Sequence, residues 1–286
     1  MRTRMRQFVS GHEPDKDGCI RVEGDKFHYL AFVLRLEEGD MLHVRLPSGI
    51  LQPMTVAKVD SQSRTLTLSL AGEAAASAGN SLAAPPAGIP GHFRFHLFQL
   101  VPKPPKMDLI IRQATECGVS SIIPVAGEFC QKGNIESAVK KSSPQDNRWQ
   151  KVITEAREQS GSPVGTEVLS CMKFDEALAF WKDVPEGGSA DRLAFVLYER
   201  SEGTLPVHRA VGRCFPLKNV PGNADIAVMV GAEGGISPSE LGRAKEAGFI
   251  PVHLQTNILR CETAALYGLA ALQGAIVESD IWKLNE

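Results

Sequence analysis

Residues 225–240 read DIAVMVGAEGGISPSE, and this stretch decides the fold class of the 286-residue chain. The apolar run from Asp225 to Val230 is typical of a strand that is buried on both faces. Ser237-Pro238-Ser239-Glu240 is a capping box with proline at the first helical position, which predicts that a helix begins there. A glycine-rich loop between a buried strand and a helix indicates a parallel α/β sheet, in which ligands bind at such loops.

Strands and helices alternate throughout residues 93–286. Further strands are expected at 93–100, 121–125, 193–198 and 251–254. Apolar residues three and four positions apart predict helices around 107–114 and 149–156, and a last helix is expected from about Thr263 to Val277. Because strands alternate with helices, this part of the chain is expected to be a mainly parallel α/β domain.

The first 72 residues carry a different pattern. Short strands are expected at 41–46, 51–59 and 66–70, with turn residues between them, which favours a small β-barrel. Residues 73–92 are dominated by Ala, Gly, Ser and Pro without amphipathic periodicity, which is typical of a linker or loop. The expected organisation is a barrel at 1–72, a linker or loop at 73–92 and an α/β domain at 93–286.

Composition narrows the class of protein. A formal charge of −2 and 43% hydrophobic residues exclude a histone-like polycation and a disordered chain of low hydrophobicity, but a local basic patch could still bind nucleic acid. No apolar stretch is long enough for a membrane span, and the basic N-terminus is followed by no signal-peptide core, so no membrane partner is expected. The six cysteines form no CxxC pair, which indicates reduced thiols and a cytoplasmic protein. The chain has one HxxxH pair, His92 and His96, and one D-x-D pair, Asp15 and Asp17, but neither matches the spacing of a complete metal-binding motif, so no metal is expected.

Two loops could carry chemistry, and each also has a purely structural interpretation. The loop from Gly231 to Gly235 could let a ligand approach the backbone, or it could be a tight turn that needs positive φ angles. Arg260 and Glu262 lie between a strand and the last helix. They could act on a ligand, or they could form only a surface ion pair.

Two further segments also allow both a functional and a purely structural interpretation. Lys103 and Lys106 flank two prolines, and they could contact phosphates or belong to an ordinary solvated loop. The segment 155–163 ends a predicted helix, and it could face a ligand or be simply surface charge.

Several segments, taken in order, resemble one family. The resemblance is to the bacterial 16S rRNA (uracil-N3)-methyltransferase family, and it rests on KPPKMDLIIRQATECGVSSIIPV (103–125), RWQKVITEAREQSGSP (148–163), VMVGAEGGISPSE (228–240) and LQTNILRCETAA (254–265). MRQF (5–8) and HYLAFVLRLEEGD (28–40) also match the opening domain of that family. The order and spacing of the GxEGG and ILRxETA segments make the resemblance highly specific.

The resemblance implies an α/β methyltransferase domain of the SPOUT class with a deep trefoil knot near its C-terminus. A PUA-like barrel that helps to hold rRNA would precede this domain. The family works as a homodimer and uses S-adenosyl-L-methionine as cofactor. The implied reaction is methylation of N3 of a specific uridine, uridine 1498 in the family, in the 16S rRNA of the small ribosomal subunit.

The family positions carry over onto matching residues of this sequence. Those implied to bind the cofactor are Val230, Gly231, Glu233, Gly234, Gly235, Leu254, Ile258, Leu259 and Thr263. Those implied to act in catalysis are Arg260, Glu262 and Glu233. Those implied to lie near RNA are Arg6, His28, Arg35 and Lys103.

The sequence departs from the family pattern at several positions. Ala232 stands where the family usually has proline, and Gln255 stands where it has glycine. Asn257 and Ser162 both stand where the family has arginine. Each missing arginine removes a possible contact to phosphate or cofactor, which affects the RNA footprint more than the class of enzyme.

The implied chemistry needs positioning and proton transfer but no metal, because the methyl group of a sulfonium is already activated. N3 of uracil carries a proton at neutral pH, so a carboxylate or an oriented water has to take it. Glu262 and Glu233 are the candidate acceptors, and Arg260 could stabilise the uracil oxygen that gains charge. Two alternatives stay open. One is a related SPOUT enzyme that methylates a ribose 2′-hydroxyl, and the other is a non-catalytic rRNA-binding assembly factor with a decayed site.

Overall fold

The structure is a computed structural model that describes residues 7–70, 93–183, 191–200, 202–214 and 224–277. Residue contacts divide the chain into two compact units. The first unit contains residues 1–87 and 157–163, and the second contains residues 88–156 and 164–286. Arg6 and the expected linker or loop at 73–92 lie outside the described residues.

The first unit is built on a mostly antiparallel sheet. Its described strands are β1 (Phe8–Val9), β2 (Cys19–Val22), β3 (Met41–Arg45), β4 (Leu51–Asp60) and β5 (Thr65–Leu70). Their order is β1-β3-β4-β5-β2, with β1 parallel to β3 and the other neighbours antiparallel. The three strands that the sequence predicted here are β3, β4 and β5, and each is present with one end shifted by one residue.

A short helical segment packs against this sheet. Helix α1 (Gly24–His28) runs directly into a π-helix (Tyr29–Val33), a rare conformation that often marks a functional site. Phe27 and Leu30 are buried among the apolar side chains of the strands. Arg35 follows with a φ of 56°, a left-handed conformation that is uncommon for a residue with a side chain.

Gln7 ties residues 157–163 to the first unit. Its side chain is fully buried, and its Nε2 donates hydrogen bonds to the carbonyl oxygens of Arg157 (3.0 Å) and Ser162 (2.9 Å). Its backbone N–H donates to the carbonyl oxygen of Glu158 (3.2 Å). Because these partners are about 150 residues away along the chain, no local sequence signal reveals the connection.

The second unit is built on a parallel sheet. Its described strands are β6 (Phe93–Leu100), β7 (Ser121–Ala126), β8 (Glu167–Val168), β9 (Met172–Lys173), β10 (Asp191–Leu197), β11 (Leu205–Pro206), β12 (Ala224–Val230) and β13 (Ile250–His253). The order is β11-β13-β10-β12-β6-β7-β8, and β9 also pairs with β7. Every described pair is parallel, which confirms the sheet type that the alternating pattern predicted.

Helices follow the strands of the second unit, and apolar cores form on both faces of its sheet. The described helices are α2 (Pro104–Glu116), α3 (Lys132–Lys141), α4 (Arg148–Ser160), α5 (Phe174–Asp183), α6 (Val207–Cys214), α7 (Pro238–Glu246) and α8 (Cys261–Val277). Strand β12 is buried along its whole length, with Ile226 and Val228 in one core and Ala227 and Met229 in the other. This confirms the doubly buried strand expected at this position.

The start of α7 is the capping box that the sequence predicted. The Ser237 hydroxyl accepts a hydrogen bond from the Glu240 N–H (3.1 Å), and the Glu240 carboxylate accepts one from the Ser237 N–H (2.9 Å). These bonds satisfy backbone donors that the first turn of a helix leaves unpaired. The loop before α7 is therefore held between a buried strand and a fixed helix start.

Helix α8 differs from its prediction at its first residue. It begins at Cys261, two residues before the expected start at Thr263.

All six cysteines of the chain are free. In the part of the chain that the structure describes, no helix is both long and apolar enough to span a bilayer, and no group of His, Cys, Asp or Glu side chains is placed to hold a metal ion.

Candidate functional site

A cavity of about 330 Å³ lies where three neighbouring parallel strands end. It is lined by Leu197, Tyr198 and Glu199 from the end of β10, by 230–233, Gly235 and Ile236 from the loop after β12, by residues between 254 and 264 from the segment after β13, and by Lys106 from the start of α2. Ligands of parallel sheets bind at this carboxyl-terminal edge. The volume lies at the lower end of the range for small-molecule pockets, which is roughly 300–1,000 Å³.

The cavity brings together most of the residues implied to bind the cofactor. Those that line it are Val230, Gly231, Glu233, Gly235, Leu254, Ile258 and Leu259. Arg260, which was implied to act in catalysis, lines it as well. Gly234 and Thr263 are within the described residues but are not part of the lining, so their roles stay predictions.

The loop after β12 is both a tight turn and a wall of the cavity. Gly235 has a φ of 75°, and its N–H donates to the Ala232 carbonyl (3.0 Å). A Cβ atom at Gly231 would lie 2.9 Å from backbone atoms of Gly235, so no side chain fits there. The tight turn that the sequence left open is therefore confirmed at Gly235, whereas ligand approach to this loop stays a prediction.

Gly234 is glycine for a different reason. A Cβ atom at this position would lie 2.7 Å from the Cβ atom of Phe129, which follows β7. Close packing against Phe129 therefore accounts for glycine at position 234, with no need for a ligand there.

An ion cluster joins this loop to the start of α8. The Nζ atom of Lys106 lies 3.3 Å from Oε1 of Glu233 and 3.1 Å from Oε2 of Glu262. The Cys261 thiol donates to the same Glu262 oxygen (3.3 Å). The sequence left Lys106 as a phosphate contact or a solvated loop residue, and the structure pairs it with two carboxylates instead.

The cluster keeps both carboxylates ionised. Burial alone would raise the pKa of Glu262, but hydrogen bonds from its own N–H, the Cys261 thiol and Lys106 outweigh burial and lower the pKa. At Glu233, burial also raises the pKa, but hydrogen bonds from backbone N–H groups and from Lys106 outweigh burial and lower it. Burial, then the neighbouring carboxylates, raise the pKa of Cys261 to about 12, so its thiol keeps the proton that it donates.

Arg260 stands beside this cluster without joining it. Its side chain is exposed, and within the described residues it makes no ion pair. The surface ion pair between Arg260 and Glu262, which the sequence left as an alternative, is absent because Glu262 pairs with Lys106.

Gln99 is a candidate that sequence reasoning missed. It is fully buried in β6, and its Nε2 donates to the carbonyl oxygens of Val230 (3.4 Å) and Gly231 (3.1 Å). Gln99 therefore fixes the backbone at the point where the glycine-rich loop begins. A lone amide inside an apolar strand is the signal that could have found it, because buried polar groups need partners.

The end of β10 is a second feature that sequence reasoning missed. The sequence predicted its apolar run as a strand, but it did not predict which strands lie beside β10 in the sheet. In the sheet, β10 lies between β12 and β13. Glu199 follows β10 and therefore lines the cavity together with the loops after β12 and β13, to which it adds a carboxylate.

The residues implied to contact RNA fall in both units. His28 and Arg35 have exposed side chains in the first unit. Lys103 has an exposed side chain in the second unit, and its backbone N–H donates to Glu233 (3.2 Å). Arg6 lies outside the described residues.

The departures from the family pattern have different surroundings. Asn257 is exposed and lines the cavity, whereas Gln255 is exposed but is not part of the lining. Ala232 is buried and forms a β-bridge with Gly235, and Ser162 is buried in the first unit. Of these four positions, Asn257 is the one whose polar side chain changes the chemistry of the cavity wall.

Curated relatives resemble the chain over most of its length. The ribosomal RNA small subunit methyltransferase E of Bacillus subtilis is 24% identical over 88% of this chain and 88% of its own length. The protein of the same name from Synechocystis is 28% identical over 96% of this chain and 78% of its own length.

Solved structures share the fold. A ribosomal RNA small subunit methyltransferase E from Neisseria gonorrhoeae, bound to S-adenosyl methionine, superposes with a TM-score of 0.68 at 23% identity and covers 94% of this chain and 97% of its own. A methyltransferase from Legionella pneumophila, in complex with the same cofactor, gives a TM-score of 0.69 at 24% identity over 95% and 98%. Residues 90–273, more than half of the chain, match the family described as RNA methyltransferase domain. The chain therefore belongs to the RNA methyltransferase family.

Proposed function

We propose that this protein is an S-adenosyl-L-methionine-dependent enzyme that methylates N3 of a specific uridine in 16S rRNA of the small ribosomal subunit. The observation that carries the proposal is the cavity at the ends of β10, β12 and β13, with two ionised carboxylates beside it. Family membership and the names of the curated relatives support ribosomal RNA as the substrate.

The lining of the cavity suits S-adenosyl-L-methionine in its contacts and its charge. The backbone at Gly231 and Gly235 allows close approach, and Leu254 and Leu259 offer apolar contacts. The carboxylates in and beside the cavity suit a ligand that carries a positive sulfonium. When bound, this cofactor supplies a methyl group that is already activated for transfer.

The residues beside the cavity supply proton transfer and charge stabilisation. The carboxylate of Glu262 or Glu233 accepts the N3 proton of the uracil. Arg260 lines the cavity and has an exposed guanidinium, which is proposed to donate to the uracil oxygen that gains charge. Because N3 lies on the Watson–Crick edge, the target uridine has to be unpaired or flipped out.

The first unit, as a PUA-like barrel, is proposed to help hold the rRNA. Its exposed His28 and Arg35 support this role, together with Lys103 of the second unit. Phe32 of the π-helix is 53% exposed, and its ring lies 5.4 Å from that of His28. Exposed aromatic rings of this kind stack with unpaired bases.

Helix α8 supports a homodimer. The helix is apolar along nearly its whole length, yet Thr263, Tyr267 and Ala270 on one face are exposed. A helix that is apolar all round is normally buried, so a second copy of the chain is proposed to cover this face.

The trefoil knot is proposed for the segments that carry the loops at 231–235 and 254–259. This proposal is supported by the position of both loops at one cavity.

Nucleoside analysis tests the proposed function. Small ribosomal subunits that lack the modification are incubated with the protein and methyl-labelled S-adenosyl-L-methionine, and their rRNA is digested to nucleosides. We expect labelled 3-methyluridine, identified by mass and retention. A labelled 2′-O-methyl nucleoside would indicate the ribose methyltransferase instead. No product, together with no binding of S-adenosylhomocysteine in isothermal titration, would indicate the non-catalytic assembly factor.

A further inference from the structure

Lys106 is the point at which three segments of the second unit meet. It is the third residue of α2, and its ammonium contacts Glu233 from the loop after β12 and Glu262 from the start of α8. The Lys103 N–H donates to the same Glu233 oxygen that Lys106 contacts. Lys106 also donates to the Sγ atom of Cys261 (3.8 Å), the first residue of α8. The start of α2 therefore holds the glycine-rich loop through two bonds and α8 through two.

The backbone fixes Lys106 in this position. Pro104 and Pro105 occupy the first two positions of α2, where their ring geometry is already helical. Met107, the next residue, is 1% exposed in the core. Because both neighbours are fixed, the lysine side chain is directed to the cluster, where it is only 25% exposed.

The cluster carries more negative than positive charge. One ammonium serves two carboxylates, and the Cys261 thiol is neutral, so one negative charge is left over. Glu262 is the more enclosed of the two carboxylates, with 16% of its side chain exposed against 34% for Glu233. The Cys261 thiol and Lys106 both bind the same oxygen of Glu262, Oε2.

We propose that Lys106 is a positioning residue that holds the Glu262 carboxylate ionised and oriented to take the N3 proton of the target uracil. This assignment rests on the proposed function. The N3–H bond breaks and its proton passes to a Glu262 oxygen. The electron pair left on N3 forms the bond to the methyl carbon, whose bond to sulfur breaks with its electrons remaining on sulfur. The proton on Glu262 then leaves to water.

The ionisable groups around Glu262 set the pH dependence of this step. Lys106 faces it from α2, Cys261 and Arg260 adjoin it in the chain, and Glu233 lies across the Lys106 ammonium. Without Lys106, burial and the charge of Glu233 act on Glu262 with less opposition. Both raise the pKa of a carboxyl group, so part of the Glu262 population becomes protonated in mildly acidic buffer.

The test compares single-turnover methylation at about pH 8 and about pH 5.5 with saturating cofactor. For Lys106→Met, the ratio of the rate at about pH 8 to the rate at about pH 5.5 is expected to be about threefold or more above the wild-type ratio, because protonating about two thirds of the Glu262 population at the lower pH leaves about a third of the rate. Lys106→Arg keeps the positive charge and is expected to restore the wild-type ratio within about twofold. An unchanged ratio in Lys106→Met would overturn the assignment.

A matched control separates this effect from the loss of a surface charge. Lys140→Met removes an exposed lysine from the last turn of α3, and its ratio of rates should equal that of the wild type. RNA binding is measured at several salt concentrations on the same variants. A flatter salt dependence in Lys106→Met, with an unchanged ratio of rates, would make Lys106 a phosphate contact and overturn the assignment.

A double variant keeps the assignment testable if Lys106→Met does not fold. In the Glu262→Gln background, adding Lys106→Met should change the rate less than about twofold, because Lys106 acts through Glu262. A further loss of about tenfold or more would overturn the assignment. A wild-type protein that yields no methylated nucleoside defeats the proposed function itself. An active wild type with an unaffected Lys106→Met variant defeats only the role of Lys106.

Discussion

Ionisable side chains gather at both ends of the parallel sheet in the second unit, and the two clusters are built differently. At the amino-terminal end, the fully buried Asp225 accepts two hydrogen bonds from Arg94, both 2.7 Å long, and lies 3.1 Å from Nε2 of His96. At the carboxyl-terminal end, Lys106 is shared between Glu233 and Glu262. The first cluster gives its single carboxylate a full set of partners, whereas the second leaves one negative charge unmatched beside a cavity.

We infer from this difference that charge balance, and not the size of a pKa shift, separates a structural cluster from one that is proposed to act in the reaction. Burial would raise the pKa of Asp225, but hydrogen bonds and charge from His96 and Arg94 lower it to about 2. Perturbed pKa values are frequent at functional sites, yet structural ion networks produce them as well. Asp225 is fully buried and both of its oxygens accept hydrogen bonds from Arg94, which favours a structural role. The cluster at the other end has one negative charge in excess, so it can still bind a proton or a cation.

The largest expected effect is on the rate, at Glu262 of the cluster with excess negative charge. Glu262→Gln keeps the shape of the side chain but removes the proton acceptor, so single-turnover methylation should fall by about 10²–10⁴-fold. Affinity for S-adenosylhomocysteine, measured by isothermal titration, should stay within about threefold. Glu136→Gln, at an exposed position of α3, is the control for a lost surface carboxylate. A rate within about tenfold of the wild type would remove Glu262 from the proton transfer.

Arg260→Ala should have the next largest effect, again on rate and not on stability. Losing one donor to developing charge costs on the order of 2.7–4 kcal/mol, or about 10²–10³ in rate. Because Arg260 makes no ion pair within the described residues, the free energy of unfolding should change by less than about 0.5 kcal/mol. Arg209→Ala removes an exposed arginine from α6 as a control. A rate within about threefold of the wild type would contradict a role for Arg260 in the reaction.

The parts of this site that were predictable from the sequence are those with a local signal. The loop at 231–235 could be placed because its glycines follow an apolar run and precede a capping box within sixteen residues. The partners of Lys106 could not be placed, because they are distant along the chain: 155 residues separate Lys106 from Cys261, and Glu262 is the next residue. The same holds at the other end of the sheet. Arg94 and Asp225 are 131 residues apart, yet they lie directly opposite each other because β6 pairs with β12. Strand order depends on long-range packing, and no single segment encodes it.

Removing the charge of Asp225 from the cluster with Arg94 and His96 should have the opposite effect, on stability and not on the rate. Asp225→Asn removes the charge that Arg94 and His96 surround, and the free energy of unfolding should fall by about 3 kcal/mol. This value is at the lower end for a buried pair because the Arg94 side chain is 40% exposed and can reach water. Denaturant unfolding measures the change, and the methylation rate per folded molecule should stay within about twofold. A loss of rate without a loss of stability would assign Asp225 to the reaction and end the distinction between the two clusters.

The smallest expected effect is the acid dependence of this stabilisation. The folded state holds the pKa of Asp225 at about 2, below its ordinary value of 3.8, so the unfolded chain takes up a proton first as the pH falls. The stabilisation is therefore complete above the ordinary value and is lost as the pH falls through about 2. The difference between the two pKa values corresponds to about 2 kcal/mol. Denaturant unfolding between about pH 5 and pH 2 should show the wild type losing its advantage over Asp225→Asn by this amount. A constant difference between the two proteins across that range would mean that the Asp225 charge is not what Arg94 and His96 stabilise.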